Sequence, residues 1–284
     1  MKPVIHLIAG LGTAAFAASL SGQGFNDVFD VDTSDINSIG YFQSGNLGGG
    51  SGTAVMDGSL VISYGSGSIG LANIARHFPT VEIGVGESIQ ANFTLSAGGL
   101  NQFQRMIRFS LGYVAPENQL TANSPLRSPI EPDGFWGYVG AIAGPGAGVN
   151  SSIGIILNTG NVVHKEGNPD NGNDAGALNW IEDLSASVDS TFTGLEGELF
   201  LLRTTTGWDI TASLGDVLIT TSHEGVLTQF NTFGFGLNGG QDNAFYSFDN
   251  ISVTVIPEPS TYAVVLGLAA LVGLLGVRRR QRRG

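Results

Sequence analysis

Apolar and polar residues alternate along much of the chain, and this period of two constrains the fold more than any other feature. In residues 89–95 and 107–113, apolar side chains fall on every second position. Successive side chains of a strand point to opposite faces, so the pattern is typical of a strand with one buried face. The same alternation marks further candidate strands at 60–64, 199–205, 210–214, 217–221, 230–237 and 248–255. The sequence therefore predicts an all-β fold.

Turn-forming residues separate these candidate strands, and 43 of the 284 residues are glycine. Residues 69–78 permit a short helix, which Pro79 would end. The strand spacing over residues 25–255 predicts a two-sheet antiparallel sandwich of the jelly-roll or lectin-like kind. Residues 115–188 are rich in Pro, Gly and Asn, so we expect long loops there, serving either as a binding region or as spacers.

Charge is distributed unevenly along the chain. Of the 12 Lys and Arg residues, one is Lys2 and five stand among the last seven positions, whereas all 24 acidic residues lie no later than Glu258. The body is therefore strongly acidic and would repel the phosphates of nucleic acids, so we expect no nucleic-acid partner. The chain has no cysteine, which excludes disulfides and thiolate metal sites.

Residues 1–24 have the composition of a secretory signal peptide. Lys2 precedes an apolar run from Val4 to Ala18, and small residues follow. A signal peptidase would cut after Ala17 or nearer to Gln23. The sequence therefore predicts export of the body from the cytoplasm.

An apolar run followed by an arginine cluster stands near the C-terminus. Ala263 to Val277 would form roughly 23 Å of helix at ~1.5 Å per residue, somewhat less than the ~30 Å hydrocarbon core. Tyr262 and the arginines would extend this span by anchoring at the two interfaces. We expect a transmembrane helix at 262–277 and a basic cytoplasmic tail at 278–284, because basic residues that flank a span stay in the cytoplasm. The basic residues are Arg278, Arg279, Arg280, Arg282 and Arg283.

A Pro-Glu-Pro tripeptide precedes this run, at Pro257, Glu258 and Pro259. Two prolines interrupt both helices and central strands, so residues 256–261 are expected to form an extended linker. The tripeptide, the apolar run and the arginines, in this order, resemble the PEP-CTERM sorting signal of Gram-negative bacteria. The resemblance implies an exosortase-type membrane transpeptidase as partner and an inner-membrane-anchored precursor that later reaches the surface or the extracellular matrix. A body that ends in an Asp-Asn-aliphatic strand just before the tripeptide also resembles the bodies of many such proteins, which are similar to concanavalin-like sandwiches.

Two stretches of the body have the spacing of ligand-binding loops. Residues 65–70 match G-x-G-x-x-G after a strand, but a dinucleotide site needs a longer following helix. Residues 171–182 match part of a calcium loop, with candidate ligands at Asn171, Asn173, Asn179 and Glu182. Asn replaces Asp at the first position and Ala175 offers no side-chain oxygen. We therefore expect a solvated loop and no cofactor, with calcium as the alternative.

Residues that would support hydrolysis or sugar binding are scattered. Glu196 and Glu198 lie two apart on a candidate strand, which is more typical of a solvated face than of a catalytic pair. The body has no G-x-S-x-G motif. Its histidines lack the spacing of metal ligands and stand at His77, His164 and His223. Four aromatic residues could stack on sugar rings, although such residues are more typical of a core. They are Trp136, Tyr138, Trp180 and Trp208.

These features predict an exported envelope protein with a non-enzymatic, structural or adhesive β-sandwich, and matrix carbohydrate such as exopolysaccharide as its leading partner. The alternatives are a glycan-active hydrolase on the same fold and an inert surface spacer. A hydrolase needs two carboxylates facing one cleft about 5–10 Å apart, whereas an inert spacer predicts that no concave exposed aromatic cluster is present.

Overall fold

The computed structural model describes residues 24–46, 52–64, 71–98, 106–123, 136–143, 152–159, 179–184, 192–238 and 245–258. Within these ranges the chain forms two antiparallel sheets, which confirms the predicted all-β sandwich. Two 3-10 turns, at Ile36–Ile39 and Pro116–Asn118, interrupt the strands. No helix in the described ranges is long and apolar enough to cross a membrane. The predicted membrane helix and basic tail lie outside these ranges, as does the predicted signal peptide apart from Gly24.

The strands follow one another along the chain as β1 Phe25–Asp27, β2 Tyr41–Asn46, β3 Gly52–Met56, β4 Ser59–Ser63, β5 Leu71–Glu82, β6 Ser88–Gly98, β7 Met106–Tyr113, β8 Trp136–Ala143, β9 Ser152–Thr159, β10 Asn179–Leu184, β11 Phe192–Arg203, β12 Trp208–Leu214, β13 Val217–His223, β14 Gln229–Asn238 and β15 Phe245–Ile256. Sheet A has the order β13-β12-β11-β6-β15-β4-β3, and β1 also pairs with β15. Sheet B has the order β10-β9-β8-β7-β14-β5-β2. Strand β15 is therefore an interior strand of sheet A.

The two sheets pack face to face around an aromatic core. The ring centroid of Phe93 lies 4.9 Å from that of Phe109, 5.6 Å from Phe235 and 6.2 Å from Phe248. Phe93 and Phe248 belong to sheet A, whereas Phe109 and Phe235 belong to sheet B. All four side chains are buried. The apolar face predicted for residues 89–95 is thus confirmed as one wall of this core.

Three strands lie within residues 115–188, where we expected long loops, so that prediction is wrong for β8, β9 and β10. Glycine obscures the alternation in β8, because Gly140 takes a core-facing position opposite Phe109. A Cβ at Gly140 would lie 2.2 Å from the Phe109 ring. The glycine therefore makes room for a core phenylalanine instead of marking a turn.

Residues 71–82 form one strand, so the short helix that the sequence permits at 69–78 does not form over residues 71–78. Pro79 fits into β5 because the pairing with β14 shifts between His77 and Val81. On the other side, β2 pairs with β5 only as far as Arg76. Neither neighbour therefore needs a hydrogen bond from the missing N–H of Pro79. The strand also removes the helix that a dinucleotide site after residues 65–70 would need.

A β-bulge in β15 accounts for the Asp-Asn pair near its centre. The pairing with β6 shifts between Asp249 and Ser252. Asn250 has a φ of 49°, and its N–H donates to Asp249 Oδ1 at 2.7 Å. Asparagine tolerates this left-handed conformation better than most residues. Pairing with β4 ends just before the bulge and pairing with β1 begins just after it.

An ion pair holds β1 against sheet B. Arg76 Nε lies 3.1 Å from Asp27 Oδ2, and the Tyr41 hydroxyl donates to the same oxygen at 2.7 Å. The guanidinium also lies 4.6 Å from the centroid of the Phe25 ring. Burial raises the pKa of Asp27, and the Tyr41 hydrogen bond and the charge of Arg76 oppose that rise. The short first strand is therefore fastened to both sheets.

Candidate functional site at the end of the sandwich where the tail leaves

The C-terminal tail leaves the sandwich at the end where β15 stops, and several other strands begin or end there. Strands β5, β7, β11, β13 and β15 end there, and β6, β8, β12 and β14 begin there. We define the tail rim by five residues at this end: Val85, Gly86, Trp136, Arg203 and Val226. The exposed fraction is 46% for Trp136, 54% for Val85 and 80% for Val226. Large apolar side chains thus face solvent at this end of the sandwich.

Arg203 fixes the β13–β14 connection of the tail rim. Its Nη1 donates to the carbonyl of Gly225 at 2.7 Å and to that of Gly207 at 3.3 Å. Its guanidinium lies 5.2 Å from the ring centroid of Trp208. Trp208 is buried, and its Nε1 donates to the carbonyl of Leu227 at 2.9 Å. Trp208 is therefore a core residue that secures the rim.

Tyr138 and His223 form a second polar contact beneath the rim. The Tyr138 hydroxyl lies 3.2 Å from His223 Nδ1. Burial raises the pKa of Tyr138, against a smaller lowering by the charge of Arg203, so the phenol stays protonated. A Cβ at Gly225 would lie 2.9 Å from the Tyr138 hydroxyl, so glycine allows the loop to approach. Trp136 stands two positions before Tyr138 on β8, and of these two aromatic residues it is the one that reaches solvent.

Glu258 of the tripeptide lies against the turn between β5 and β6. Gly86 has a φ of 85°, and a Cβ there would lie 2.9 Å from Glu258 Cγ. The Gly86 N–H donates to the Arg203 carbonyl at 2.8 Å, and the Gly84 N–H donates to Glu87 Oε2 at 2.7 Å. Because Ile256 still belongs to β15, the predicted linker starts no earlier than Pro257. The first part of the tripeptide therefore rests on a hydrogen-bonded turn of the folded body.

Glu196 and Glu198 lie on the outer face of sheet A, away from the core. Glu198 Oε2 accepts from Gln90 Nε2 at 2.7 Å, and Glu196 Oε1 accepts from Thr94 Oγ1 at 3.2 Å. The neighbouring residues of β6 on this face are amides and hydroxyls. This arrangement supports a solvated polar face rather than a catalytic pair.

His77 belongs to a buried polar chain that sequence reasoning missed. Its Nε2 accepts the N–H of Leu120 at 3.0 Å, so the proton resides on Nδ1, which lies 2.9 Å from Thr232 Oγ1. Thr232 Oγ1 donates to Asn231 Oδ1 at 3.0 Å, and Asn231 bonds both the N–H and the carbonyl of Val114. Burial lowers the pKa of His77 to about 4. The histidine is structural, and no spacing in the sequence connects these distant residues.

The middle of sheet B is buried on both faces. Phe109 and Leu111 of β7 face the core, yet the intervening Arg108 and Ser110 are also buried. Ser110 Oγ donates to the Gly234 carbonyl at 3.2 Å. Burial lowers the pKa of Arg108 to about 10, which leaves this side chain charged at neutral pH. The described centre of this sheet is therefore closed to a large ligand.

The calcium candidates are divided between described and undescribed residues. Asn171 and Asn173 lie outside the described ranges, as does His164. Asn179 and Glu182 lie in β10, paired with Leu157 and Ile155. In the described part of the chain, no group of three or more His, Asp or Glu residues would hold a metal ion. The solvated loop stays a prediction, with calcium as its alternative. Trp180, also in β10, is paired with Ile156.

Comparisons with known proteins separate the tail from the body. Residues 255–283 match the PEP-CTERM protein-sorting motif, which confirms the resemblance carried by Pro257, Glu258 and Pro259. This motif is a recognition signal for exosortase and implies an exported, surface-directed protein. No curated protein matches the chain.

Solved structures resemble the body in fold. The carbohydrate recognition domain of Emp47p gives a TM-score of 0.54 at 11% identity, covering 84% of this chain and 97% of that chain. The potassium-bound domain of Emp46p gives 0.52 at 9% identity, covering 82% and 95%. The endo-1,3-beta-glucanase from Streptomyces sioyaensis gives 0.50 at 14% identity, covering 84% and 97%. The chain is a lectin-like β-sandwich that carries a PEP-CTERM protein-sorting motif at residues 255–283.

Proposed function

We propose that the chain is exported, anchored by residues 262–277 and processed by an exosortase-type transpeptidase, after which its sandwich serves as a non-enzymatic carbohydrate-binding domain of the envelope or matrix. The observation that carries this proposal is the continuity of the sorting motif with β15. Pro257 follows the last paired residue of the strand, and Glu258 rests on the tail rim. The sorting motif is thus joined directly to the sandwich that it would deliver to the surface.

Replacing Pro257, Glu258 and Pro259 with alanine tests the delivery step. We expect the full-length protein to stay in the membrane fraction, because the enzyme would lose the motif that it reads. A matched control replaces Ser260 and Thr261 with alanine, which keeps the tripeptide and the length of the tail. Release of the triple variant at the control's rate would refute sorting by this motif.

Replacing the five terminal arginines with glutamine tests the proposed anchoring. We expect impaired retention or an altered orientation of the tail, because the charges that hold it in the cytoplasm would be gone. Protease protection of the tail in membrane vesicles measures the orientation. Unchanged protection would count against the charge argument.

Trp136 is the described residue that best supports carbohydrate binding. Its exposed indole lies at the end of the sandwich where β13 ends at His223, and sugar rings stack on flat apolar surfaces of this kind. The fold likeness to two carbohydrate recognition domains points to the same class of ligand. We therefore place the first carbohydrate contact at the tail rim.

A glycan and polysaccharide screen of the purified protein, with and without calcium, tests this role. We expect W136A to weaken binding about tenfold, which corresponds to about 1.4 kcal/mol. The control V226S removes another exposed apolar side chain of the rim and should leave the affinity within about twofold. Equal affinity of W136A and wild type would remove Trp136 from the site, and absence of any binding would favour the inert spacer.

A glycan-active hydrolase is the second candidate, favoured by the fold likeness to the endo-1,3-beta-glucanase. Release of reducing ends from β-1,3-glucan would support it. The double variant E196Q/E198Q would then show whether the two carboxylates on sheet A take part. Our proposal expects no release by wild type and therefore no difference between the two proteins.

A further inference from the structure

The outer face of sheet A carries a row of side chains that crosses five adjacent strands. Each member is paired directly with the next, and in the order β15, β6, β11, β12 and β13 they are Thr254, Gln90, Phe200, Thr211 and Thr220. We call these five residues the outer row. Neighbouring strands lie ~4.8 Å apart, so the row is about 19 Å long. None of the five residues is buried, so a ligand can reach the whole row.

Phe200 stands in the middle of the outer row and is its aromatic member. Leu199 and Leu201 on either side of it are buried in the core, whereas Phe200 is half-buried on the opposite face of the strand. A ring at this position adds little to the core, but it offers sugar rings a flat apolar surface for stacking. The aromatic residue is therefore placed where a ligand lying along the row would meet it.

Hydrogen bonds between neighbouring side chains hold the polar groups around Phe200 in place. Gln90 Nε2 donates to Glu198 Oε2 at 2.7 Å and to Asn92 Oδ1 at 3.0 Å. Both bonds use the amide nitrogen, which leaves the amide oxygen of Gln90 to accept from a ligand. On the other side of Phe200, the hydroxyls of Thr211 and Thr220 lie 3.4 Å apart, and each can donate and accept. The row thus offers ordered donors and acceptors on both sides of an aromatic ring.

The charge of the outer face limits the class of ligand. Its described acidic residues are Glu196, Glu198, Asp209 and Asp249, and no Lys or Arg lies on the part of this face that the structure describes. An anionic polymer would be repelled. A basic peptide would be attracted by the carboxylates, but the outer row itself has no charged member. Hydroxyls, an amide and an aromatic ring are groups that suit a neutral, polyhydroxylated ligand better.

We infer that the outer row is a second carbohydrate contact, which binds a neutral, linear polysaccharide lying across the strands. A row that repeats at the strand spacing fits a ligand that also repeats along its length. Trp136 belongs to sheet B, so the two contacts lie on different sheets, and one sandwich can bridge two polymer chains. The inference rests on the proposed carbohydrate-binding role, and adds a site and the class of polymer.

Affinity electrophoresis of the full chain in gels that contain hydroxyethyl cellulose or β-1,3-glucan tests the inference. We expect Phe200→Thr to weaken binding to at least one of these neutral polymers about tenfold, because the stacking surface is lost while threonine still favours a strand. The control Val61→Thr removes an apolar side chain from the same face, opposite Ser247 and outside the outer row, and should leave the affinity within about twofold. Unchanged binding by Phe200→Thr, or wild type that binds neither polymer, overturns the inference.

The double variant T211V/T220V provides a second test that preserves the shape of the side chains and the strand preference. It removes two hydroxyls from the row, so we expect binding to weaken about threefold. Urea unfolding checks that each variant keeps the stability of wild type. Carboxymethyl cellulose should bind at least tenfold more weakly than hydroxyethyl cellulose or β-1,3-glucan, because the face is acidic. Equal binding of the anionic polymer overturns the inference, as does a loss of polylysine binding in both variants with glucan binding retained.

The W136A variant separates this inference from the proposed function. Loss of polysaccharide binding in W136A, with wild-type binding by Phe200→Thr, would leave the tail rim as the carbohydrate contact and overturn the second contact alone. Wild type that binds no polysaccharide or glycan in the wider screen would refute the proposed carbohydrate-binding role itself. With both contacts present, wild type should cross-link the neutral polymer and raise the viscosity of its solution, whereas each single variant should not.

Discussion

Sheet A and sheet B use the same alternation of residues in different environments. In β6 of sheet A, the apolar positions face the core and the positions between them, such as Asn92 and Thr94, are half-exposed. In β7 of sheet B, Arg108 and Ser110 take the alternate positions and are buried. The polar residues at these positions of β6 reach solvent, whereas those of β7 need partners within the protein. Polar substitutions should therefore cost more in sheet B than in sheet A.

The largest expected effect belongs to the core that both sheets share. Phe93→Ala should lower the free energy of unfolding by about 3–5 kcal/mol, because it opens a cavity among Phe109, Phe235 and Phe248. The adjacent variant Thr94→Ala alters the outer face and should cost less than about 1 kcal/mol. Urea unfolding measures both. Equal losses would show that the outer face of sheet A is not a hydrated surface.

A buried amide of sheet B should have the next largest effect. Asn231→Ala leaves the N–H and the carbonyl of Val114 without the partner that now bonds them at 2.8 and 2.7 Å. We expect a loss of about 2–4 kcal/mol, since each unsatisfied buried group costs about 1–3 kcal/mol. The matched variant in sheet A, Asn92→Ala, should cost less than about 1 kcal/mol. A smaller loss for Asn231→Ala than for Asn92→Ala would reverse the comparison between the sheets.

The alternation of β6 was sufficient to predict which of its faces is buried. The second buried face of sheet B could not be predicted in this way, because alternation along a strand does not indicate whether its polar face is also covered. The same holds for the chain from His77 to Val114, whose members become neighbours only when β5 and β14 pair. Gly140 was uninformative for a local reason, since a glycine that makes room for Phe109 has the same sequence signal as a glycine in a turn.

Acid should weaken the structure through His77 of sheet B. Burial gives its imidazole a pKa of about 4, below the ordinary value of about 6.5, so the unfolded chain binds more protons between these pH values. The contribution to stability is complete above about pH 6.5 and falls as the pH drops towards 4, by at most about 3 kcal/mol. His77→Gln should reduce the loss of unfolding free energy between pH 7.5 and 4.5. An identical loss in the variant would contradict this account.

The smallest effect is expected on the outer face of sheet A. Glu198→Gln retains an oxygen that can accept from Gln90 Nε2 and should change the free energy of unfolding by less than about 0.5 kcal/mol. Thermal or urea unfolding at neutral pH measures this change. A loss above about 2 kcal/mol would show that the carboxylate supports more than a solvated surface.

The tail illustrates what a motif reveals and what it omits. The order of tripeptide, apolar run and arginines was enough to identify the sorting signal. The seat of Glu258 on Gly86 was not predictable, because the turn between β5 and β6 meets the end of β15 only in the folded sandwich. The division of the aromatic residues into buried Trp208 and exposed Trp136 likewise depends on the arrangement of the sheets.

The position of β15 inside sheet A determines how the protein responds to mechanical force. If the tail is anchored in a membrane as proposed, a pull on it acts along the axis of this strand. Its hydrogen bonds to β6 and β1 run across that axis and are loaded together in shear, so they resist as a group. A strand at the sheet margin, pulled sideways, would instead open one bond at a time. The proposed anchor would thus be joined to the sandwich through a strand well suited to bear tension.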